Sequence, residues 1–314
     1  MPSKKSIVIT GGSGFIGSHL VRSLASEGHS LKVFSRRKNP KTLISIEGDI
    51  EIIQFDFKSD LNLLSSVLEN CDLVYHIAWS NLPRSGNDDY LINDIMGSVL
   101  DTIELLKSCV KHGVNKFVFT SSGGAIYGDN PTAIDEDTTT FPISSYGLTK
   151  LIVEKYLHYF SVHYDLTYAI VRIANAYGPR DPDYIRQGII STWLSRHIQG
   201  KQVQLYGDGS QIRDYIYVED IAECLNLLGK SQLRNEAYNL SSGIGLSILE
   251  IKALIEQEIG GPLDMEHISY DKNDVKVNIL NNSKIKGVLD WAPKWTISEG
   301  IKSTYQHYKA NLTS

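Results

Sequence analysis

The chain has 314 residues, and 31 lysine and arginine residues stand against 36 aspartate and glutamate residues, a formal net charge of −5. The hydrophobic content of 42% and the charged content of 21% are typical of a globular protein, and they exclude a disordered chain or a collagen-like fibre. The acidic balance gives no reason to expect a nucleic-acid partner, because neutralising phosphates requires a basic surface. The length suits one large α/β domain or two domains that share a cleft.

The cysteines and the apolar runs indicate where the protein works. Cys71, Cys109 and Cys224 form no CxxC pair and have no histidine nearby at metal-ligand spacing. We therefore expect reduced core thiols in a cytoplasmic protein, and no metal site. The apolar stretch Ile7–Ile9 is too short for the core of a signal peptide, and no run approaches the roughly 18 apolar residues of a membrane span.

The first half of the chain alternates short apolar runs with amphipathic stretches. The runs are nearly continuous in hydrophobicity, as expected for strands of a parallel sheet that helices cover on both faces. Amphipathic stretches such as Ile16–Glu27 and Ile92–Lys111 can form the crossover helices of βαβ units. The pattern predicts a doubly wound parallel α/β sheet with strands at Ser6–Thr10, Leu31–Phe34, Ile50–Phe55, Leu73–Ile77, Lys116–Thr120 and Tyr168–Arg172.

The second half is looser and contains more loops. It predicts a helix over Gly188–Gly200 and a strand over Gln202–Tyr206, and a capping box over Ser247–Glu250 opens a further helix. We expect a nucleotide-binding domain over 1–174, with a return segment near 214–240. The remaining ranges, 175–213 and 241–314, then form a smaller C-terminal α/β region that binds the substrate.

A glycine-rich turn follows the first predicted strand and opens the first predicted helix. The sequence TGGSGFIG occupies residues 10–17, with Gly11, Gly14 and Gly17 in register. The first glycine permits a tight turn, the second lets a pyrophosphate approach the backbone, and the third lets the helix pack on the strand. The strand, turn and helix together predict a dinucleotide site.

The end of the second predicted strand bears on the choice of cofactor. An acidic residue there usually holds the adenosine ribose of NAD, but this chain reads Ser35-Arg36-Arg37. Two guanidinium groups can bind a 2′-phosphate, so NADP remains open beside NAD. The arginines can equally belong to a solvated basic loop that ends at Lys38.

Tyr146 and Lys150 lie four residues apart in a predicted helix, which puts both side chains on one face. A tyrosine is a poor base at neutral pH, and a nearby ammonium lowers the pKa of its phenol by favouring the phenolate. We expect the two residues to act as one acid–base unit. Ser121 and Ser122 follow the fifth predicted strand and can contribute hydroxyls.

With its TGxxGxxG turn and its YxxxK pair, the chain resembles the extended short-chain dehydrogenase/reductase superfamily. It is most similar to the nucleotide-sugar epimerase/dehydratase family, and within it to members like UDP-glucose 4-epimerase. Further support comes from three segments, VYHIA at 74–78, VRIANAYGPR at 171–180 and YGDGSQIRDY at 206–215. The resemblance covers nearly the whole chain and implies a Rossmann fold.

The resemblance also implies roles for individual residues. Tyr146 would be the acid and base, Lys150 would bind the nicotinamide ribose, and Ser122 would supply a hydroxyl, since the family's usual position for it is Gly123. The implied cofactor contacts are Gly11, Gly14, Phe15, Ile16, Gly17, Ser35, Arg36, Asp56, Phe57, Ala78, Ser121, Tyr146 and Lys150. The implied substrate contacts are Ser122, Gly123, Asn175, Ile189, Gln204, Tyr206, Arg213 and Asn278.

The residues after the active-site hydroxyl select a branch of the family. Dehydratases carry an Asp-Glu pair there for acid and base work, whereas this chain has Gly124 and Ala125. The resemblance therefore implies a 4-epimerase, in which C4 of a UDP-linked sugar is oxidised to a 4-keto sugar and reduced again from its other face. The nicotinamide carries the hydride.

The chain departs from its relatives near the C-terminus. A second diphosphate-binding arginine of the family aligns with Asp271, whose charge would repel the diphosphate unless Lys272 compensates. Asn278 aligns with a position that controls pocket size and is small enough to admit an N-acetylhexosamine. The stretch from Trp79 to Pro83 is also unusual for the family.

Two other functions stay open. One is an NADP-dependent reductase of a 4-keto sugar or another carbonyl, which would share the Tyr–Lys pair and is favoured by Ser35-Arg36-Arg37. The other is a non-catalytic dinucleotide sensor, which the retained pair disfavours and Gly123 keeps open. The tyrosines Tyr156, Tyr159 and Tyr164 fall on and after the catalytic helix, where family members pair, so the resemblance implies a homodimer.

Overall fold

The computed structural model describes residues 4–79, 92, 95–130, 133–185, 187–269 and 275–312. The chain divides into two compact units. The first consists of 1–126, 140–172 and 222–238, and the second of 127–139, 173–221 and 239–314. The return segment of the first unit is thus shorter than the predicted 214–240, and the stretch 127–139 belongs to the second unit.

A seven-stranded parallel sheet forms the centre of the first unit, in the order β10-β6-β5-β4-β1-β2-β3. The strands are β1 (Ser6–Thr10), β2 (Ser30–Ser35), β3 (Asp49–Gln54), β4 (Leu73–His76), β5 (Lys116–Ser122), β6 (Tyr168–Ile173) and β10 (Glu236–Leu240). The doubly wound parallel sheet predicted from the alternation of apolar runs is confirmed. Each of the six predicted strands is present within one or two residues at either end.

The helices of the first unit are the predicted crossover helices and some short helices of a single turn. They are α1 (Phe15–Ala25), α2 (Leu64–Val67), α3 (Asp101–Lys111), α4 (Gly123–Ile126) and α5 (Ser145–Tyr164), with the C-terminal part of α7 (Val218–Lys230). Ile95–Leu100 winds as a π-helix before α3, so the predicted helix over Ile92–Lys111 changes its hydrogen-bonding pattern midway.

The core of the first unit fills the space between the sheet and its helices. It contains Val8, Val74, Phe117, Phe119, Leu106 and Leu157, each buried to the last few per cent of its surface. The strand β5 is buried along its whole length except for its last residue, because both of its faces are covered. Polar groups at the carboxyl ends of these strands therefore stand at the rim of a rigid scaffold.

The second unit contains two small sheets and the C-terminal helices. Its strands are β7 (Asn175–Tyr177), β8 (Val203–Tyr206), β9 (Ile212–Tyr217), β11 (Gly245–Ser247), β12 (Met265–Ile268) and β13 (Val277–Asn278). One sheet has the order β11-β9-β13 with β7 paired to β9, and the other pairs β12 with β8. The helices are α6 (Ile189–Ile198), α8 (Ile248–Ile259), α9 (Ser283–Leu289) and α10 (Ile297–Leu312).

Two predicted features of the second unit are confirmed. Ser247 caps α8 in a capping box with Glu250, and α6 falls inside the predicted Gly188–Gly200. The unit has its own apolar core, around Trp193, Leu194, Ile251 and Ile301.

Candidate active site

The glycine-rich turn joins β1 to α1 as the sequence predicts. Gly11 has a φ of 72°, and a Cβ placed on it would lie 2.6 Å from the backbone nitrogen of Ala78. A Cβ on Gly17 would overlap the carbonyl oxygen of Gly11, so the helix can approach the turn only with glycine at this position. Gly14 is the N-cap of α1 and offers no capping side chain, and the first turn, from Phe15 and Ile16 onward, carries no acidic residue. Such a helix N-terminus favours an anion.

The carboxyl ends of β2 and β3 carry the next four predicted cofactor residues. Ser35 is 4% exposed, and its Oγ accepts a hydrogen bond of 3.1 Å from the backbone nitrogen of Arg37, whereas Arg36 is exposed. Asp56 is exposed, and its Oδ1 accepts from the backbone nitrogen of Lys58 at 3.0 Å. Phe57 packs edge-on against Phe55 with ring centroids 4.9 Å apart.

The predicted catalytic pair lies at the start of α5. Ser144 caps this helix by accepting a hydrogen bond of 3.1 Å from the backbone nitrogen of Gly147. Tyr146 is in the first turn, and Lys150 follows one turn later with 3% of its surface exposed. The ammonium of Lys150 donates to the carbonyl oxygen of Thr120 at 2.8 Å. The helix is thereby tied to the carboxyl end of β5.

The hydroxyl that completes the pair comes from Ser122. Its side chain hydrogen-bonds to the phenol of Tyr146. Gly123, Gly124 and Ala125 form the short helix α4 directly after it and carry neither a hydroxyl nor a carboxylate. Ser121 is 4% exposed, and its Oγ has no hydrogen-bond partner among the described residues.

The electrostatics of the pair differ from the sequence-based prediction. Burial raises the pKa of Tyr146 to about 12, and the hydrogen bond from Ser122 opposes this rise. Burial also lowers the pKa of Lys150 well below its usual value, and Glu154 opposes that shift. The net pKa shift of Tyr146 is therefore upward rather than the expected lowering, because desolvation penalises the charged form of the phenol.

Sequence reasoning missed a buried polar chain between the glycine-rich turn and α3. The ring of His76 is hydrogen-bonded to two threonine hydroxyls. Its Nδ1 lies 2.7 Å from Thr10 Oγ1, and its Nε2 lies 2.8 Å from Thr102 Oγ1. The hydroxyl of Thr102 donates its own hydrogen bond to the carbonyl oxygen of Ser98, at 2.6 Å. Nε2 of His76 must therefore carry the ring proton, and Thr10 donates to Nδ1.

Burial holds His76 in this neutral form. The residue is 2% exposed, and desolvation, reinforced by the charge of Lys150, lowers its pKa to about 3. The position of the histidine in the apolar strand β4 is the signal that could have revealed it, since a polar residue between buried neighbours needs partners.

The second unit gathers three of the predicted substrate residues on adjacent strands. Arg213 on β9 lies opposite Asn278 on β13, and Asn175 on β7 donates through Nδ2 to the carbonyl oxygen of Asp214 at 3.0 Å. Asp214 is fully buried, and its carboxylate accepts four hydrogen bonds. The donors are the backbone nitrogen and hydroxyl of Ser242 and the backbone nitrogens of Gly243 and Leu280.

The other predicted substrate residues lie elsewhere in the second unit. Tyr206 donates its phenolic proton to Gln204 Oε1 at 3.1 Å along β8, and Ile189 begins α6 and packs on the core of this unit. Asp271 and Lys272 lie outside the described residues.

The remaining expectations concern thiols, metals and membranes. Cys71, Cys109 and Cys224 are buried and free, as predicted. In the described ranges, no group of three or more histidine, cysteine, aspartate or glutamate side chains could hold a metal ion. No helix of the described chain has the length and apolar character needed to cross a membrane.

Together, the parallel sheet, the glycine turn after its first strand and the Tyr–Lys pair on α5 are typical of a dinucleotide-binding protein. The chain belongs to the NAD dependent epimerase/dehydratase family, whose model matches residues 7–241.

Known proteins resemble the chain over nearly its whole length. A UDP-glucose 4-epimerase of Mycolicibacterium smegmatis is 29% identical over 308 residues, which cover 96% of this chain and 98% of the relative. The crystal structure of UDP-glucose 4-epimerase from Thermotoga maritima with UDP-glucose superposes with a TM-score of 0.88 at 31% identity, covering 98% and 99% of the two chains. The Thermus thermophilus UDP-glucose 4-epimerase, in complex with NAD, gives 0.88 at 29% identity, covering 96% and 98%.

Proposed function

We propose that this protein is a nucleotide-sugar 4-epimerase that acts on a UDP-linked hexose such as UDP-glucose or UDP-N-acetylglucosamine. The observation that carries the proposal is the group formed by Tyr146, the buried Lys150 and Ser122 at the carboxyl end of β5. A 4-epimerase needs one acid–base group and a hydride acceptor. The absence of side-chain carboxylates at Gly124 and Ala125 leaves a dehydratase without its acid and base.

The residues present fit a bound dinucleotide. The N-cap residue of α1 supplies no side chain, which leaves the helix terminus suited to a pyrophosphate. Ser121 Oγ and Trp79 Nε1 are buried donors without partners among the described residues. We propose that Gly11, Gly14, Gly17 and the first turn of α1 hold the pyrophosphate, and that Lys150, Ser121 and Ala78 face the nicotinamide end.

The chemistry then divides between the chain and its cofactor. When bound, the nicotinamide supplies an acceptor for the hydride of sugar C4 and returns it to the 4-keto sugar. Tyr146 takes the proton of the sugar O4 and gives it back, so the phenol must act as both base and acid. Ser122 stabilises the phenolate by donating a hydrogen bond to it, and Lys150 adds a positive charge on the same helix face.

Substrate binding is assigned to the second unit. Arg213 is a guanidinium suited to a diphosphate, and Asn278 and Asn175 stand on the neighbouring strands. Gln204, Tyr206 and Ile189 complete the proposed set within this unit. We expect Arg213→Ala to raise KM for the UDP-sugar by at least tenfold while kcat changes less.

The cofactor is proposed to be NAD. The hydroxyl of Ser35 is engaged within its own turn, and Arg36 is exposed. A reductase that exchanges NADP is the second candidate, because two adjacent arginines follow Ser35. Replacing Ser35 by Asp should favour NAD further, whereas Arg36→Ala should weaken NADP binding and leave NAD binding unchanged.

One experiment separates these functions. The purified protein is denatured, the released cofactor is identified by mass spectrometry, and the intact protein is incubated with UDP-glucose and UDP-N-acetylglucosamine. Retained NAD with inversion at C4 supports the epimerase, and Tyr146→Phe should lower kcat by about 10²- to 10⁴-fold. An empty site that takes up NADPH and leaves both sugars unchanged would refute the epimerase and favour the reductase.

We also propose that the protein forms a homodimer through α5. This helix exposes apolar side chains along its length, including Leu148, Tyr156, Tyr159 and Val162, the last 62% exposed. A second copy of the chain could cover this face with the same residues, as a two-fold interface requires. Sedimentation should show a dimer that Val162→Glu dissociates and Lys155→Glu leaves intact. A monomeric wild-type protein would contradict the proposal.

A further inference from the structure

The ammonium of Lys150 lies against the face of Trp79. Its Nζ is 3.7 Å from the centroid of the Trp79 ring, 4.8 Å from that of Phe119 and 5.8 Å from that of Tyr146. A cation within about 6 Å of an aromatic face is attracted by the ring quadrupole, and tryptophan gives the strongest interaction of this kind. The shortest of the three contacts is therefore also the most favourable one.

This contact occupies the place where a buried ammonium would ordinarily have an anionic partner. In the described part of the chain, the hydrogen-bond acceptor of Lys150 is the carbonyl oxygen of Thr120, and no carboxylate pairs with it. Glu154, one turn further along α5, is paired with Arg172 at 2.7 Å. A charge that is 3% exposed needs compensation, and the indole face provides it without introducing a second charge.

Trp79 is itself fixed by the site around it. Its ring is edge-on to Tyr146, with centroids 6.5 Å apart and an interplanar angle of 86°, and it also packs on Phe119 at 5.8 Å and on His76 at 6.4 Å. Its Nε1 is buried and has no hydrogen-bond partner within the described ranges. An indole N–H is a donor that is rarely left unpaired, and no described residue competes with an outside acceptor for it.

We propose that Trp79 is a positioning residue of this site: its indole face holds the Lys150 ammonium beside Tyr146, and its Nε1 donates a hydrogen bond to an oxygen of the bound nucleotide. The inference deepens the proposed function and rests on it for the reaction, but the contact with Lys150 stands on geometry alone. The uncharged indole of Trp79 thus stabilises the protonated form of Lys150.

The pH at which Lys150 loses its proton depends on its contact with Trp79. Among the described residues, the titratable groups that face it are Tyr146 and Glu154 on its own helix and His76 on β4, which burial keeps neutral. Removing the indole face withdraws a stabilising interaction from the ammonium and leaves these groups in place. Lys150 should then lose its proton at a lower pH. Trp79→Phe keeps an aromatic face, whereas Trp79→Leu keeps only apolar bulk.

The test is an NMR titration of ¹³C-labelled lysine in the full chain, with the Lys150 signal assigned from Lys150→Met. We expect the midpoint for Lys150 to fall from wild type to Trp79→Phe and further to Trp79→Leu, by on the order of one pH unit in total. Equal midpoints in the three proteins would overturn the inference. This readout needs no turnover, so it remains decisive even if the proposed epimerase activity is absent.

A second measurement covers the case in which Trp79→Leu does not fold. The indole Nε1–H signals of wild type are followed while NAD is added, and Trp79→Phe identifies the signal of Trp79. That signal should shift on binding, whereas the signal of Trp291 should not, although its Nε1 is also buried without a partner among the described residues. An unmoved Trp79 signal in a protein that binds NAD refutes the proposed hydrogen bond.

The pH dependence of kcat distinguishes a positioning role of Trp79 from a merely structural one. In an active enzyme, the alkaline limb of the kcat profile should shift to lower pH in Trp79→Leu, while KM for the UDP-sugar stays within about twofold. A uniform loss of kcat at every pH would instead indicate general damage and would count against the role assigned to Trp79.

Discussion

The hydroxyl of Ser122 is hydrogen-bonded to the phenol of Tyr146, one turn before Lys150 on the same helix. The bond crosses from the end of β5 to the start of α5, so a central strand that is buried up to its last residue helps to hold the two groups in position. It opposes the rise that burial causes, and the resulting pKa of the phenol is about 12. The pair therefore sets the pH at which the proposed base becomes available.

Removing this hydroxyl should change the pH profile in a defined direction. Without the hydrogen bond, the pKa of Tyr146 rises further, so the acidic limb of the kcat profile in Ser122→Ala should move to higher pH. We also expect kcat to fall by about 10- to 100-fold, as for the loss of one hydrogen bond to a developing charge. Steady-state kinetics with the identified UDP-sugar measure both effects.

Ser121 provides the matched control, because it is the neighbouring serine of β5 and its buried hydroxyl has no partner among the described residues. Ser121→Ala should weaken cofactor retention and leave the acidic limb where it is. The assignment of Ser122 fails if both variants show the same limb as wild type.

The salt bridge between Arg172 and Glu154 should contribute to stability only as an intact pair. Its N–O distance is 2.7 Å, and the two side chains are 8% and 3% exposed. Arg172→Met leaves an uncompensated buried carboxylate and should lower the free energy of unfolding by about 3 to 5 kcal/mol. The double variant Glu154→Leu/Arg172→Met should recover most of this loss, and urea unfolding measures both.

The more exposed pair of Lys252 and Glu256, at 2.6 Å, is the control for this experiment. Lys252→Met should cost less than about 1 kcal/mol. A double variant at 154 and 172 that is as unstable as Arg172→Met would show that the loss comes from packing rather than from an unpaired charge.

The neutral His76 should make the protein less stable in acid. Its pKa is lowered from the usual 6.5 to about 3 in the folded chain, so the unfolded chain binds the proton first as the pH falls. The free energy of unfolding should therefore decrease through this window, by up to about 1.4 kcal/mol per pH unit from this one group. Above pH 6.5 the contribution is constant.

Urea unfolding at several pH values tests this prediction. His76→Asn should lose stability at neutral pH but should show a shallower decline between pH 6 and pH 4 than wild type. His158→Asn, on the exposed face of α5, should keep the slope of wild type. Parallel curves for wild type and His76→Asn would mean that His76 is protonated in the folded chain.

Asp214 should be required for the sheet that carries Arg213 and Asn278. Its carboxylate accepts backbone hydrogen bonds from the segments that follow β10 and β13. Asp214→Asn turns one acceptor into a donor against these N–H groups and should cost about 3 kcal/mol of unfolding free energy. Asp208→Asn, at an exposed turn, should cost under about 0.5 kcal/mol. Similar losses in both variants would contradict the structural role of Asp214.

The periodicity of the chain predicted the elements well because it reports local burial. The strands β1, β4 and β5 each contain a short continuous apolar run, and the helix α8 begins at a capping box that can be read directly. The π-helical segment Ile95–Leu100 was not predictable, since its apolar residues also fit an ordinary helix.

The candidate site was predictable where spacing alone places two residues together. Tyr146 and Lys150 share a helix face because residues at i and i+4 always do. The glycines of the turn are needed because only glycine permits so close a backbone approach. Ser122 was found by its position beside Gly123. Trp79 was noted as unusual but received no role, because its contacts with Lys150 and Tyr146 come from separate elements.

The sequence by itself determined the sheet, the phosphate turn and the catalytic pair, since each depends on neighbours within a few residues. The tertiary structure decided how these groups are charged. The high pKa of Tyr146, the low pKa of Lys150 and the neutral ring of His76 all result from burial. Desolvation depends on what the whole fold packs around a group, and no local pattern contains that information.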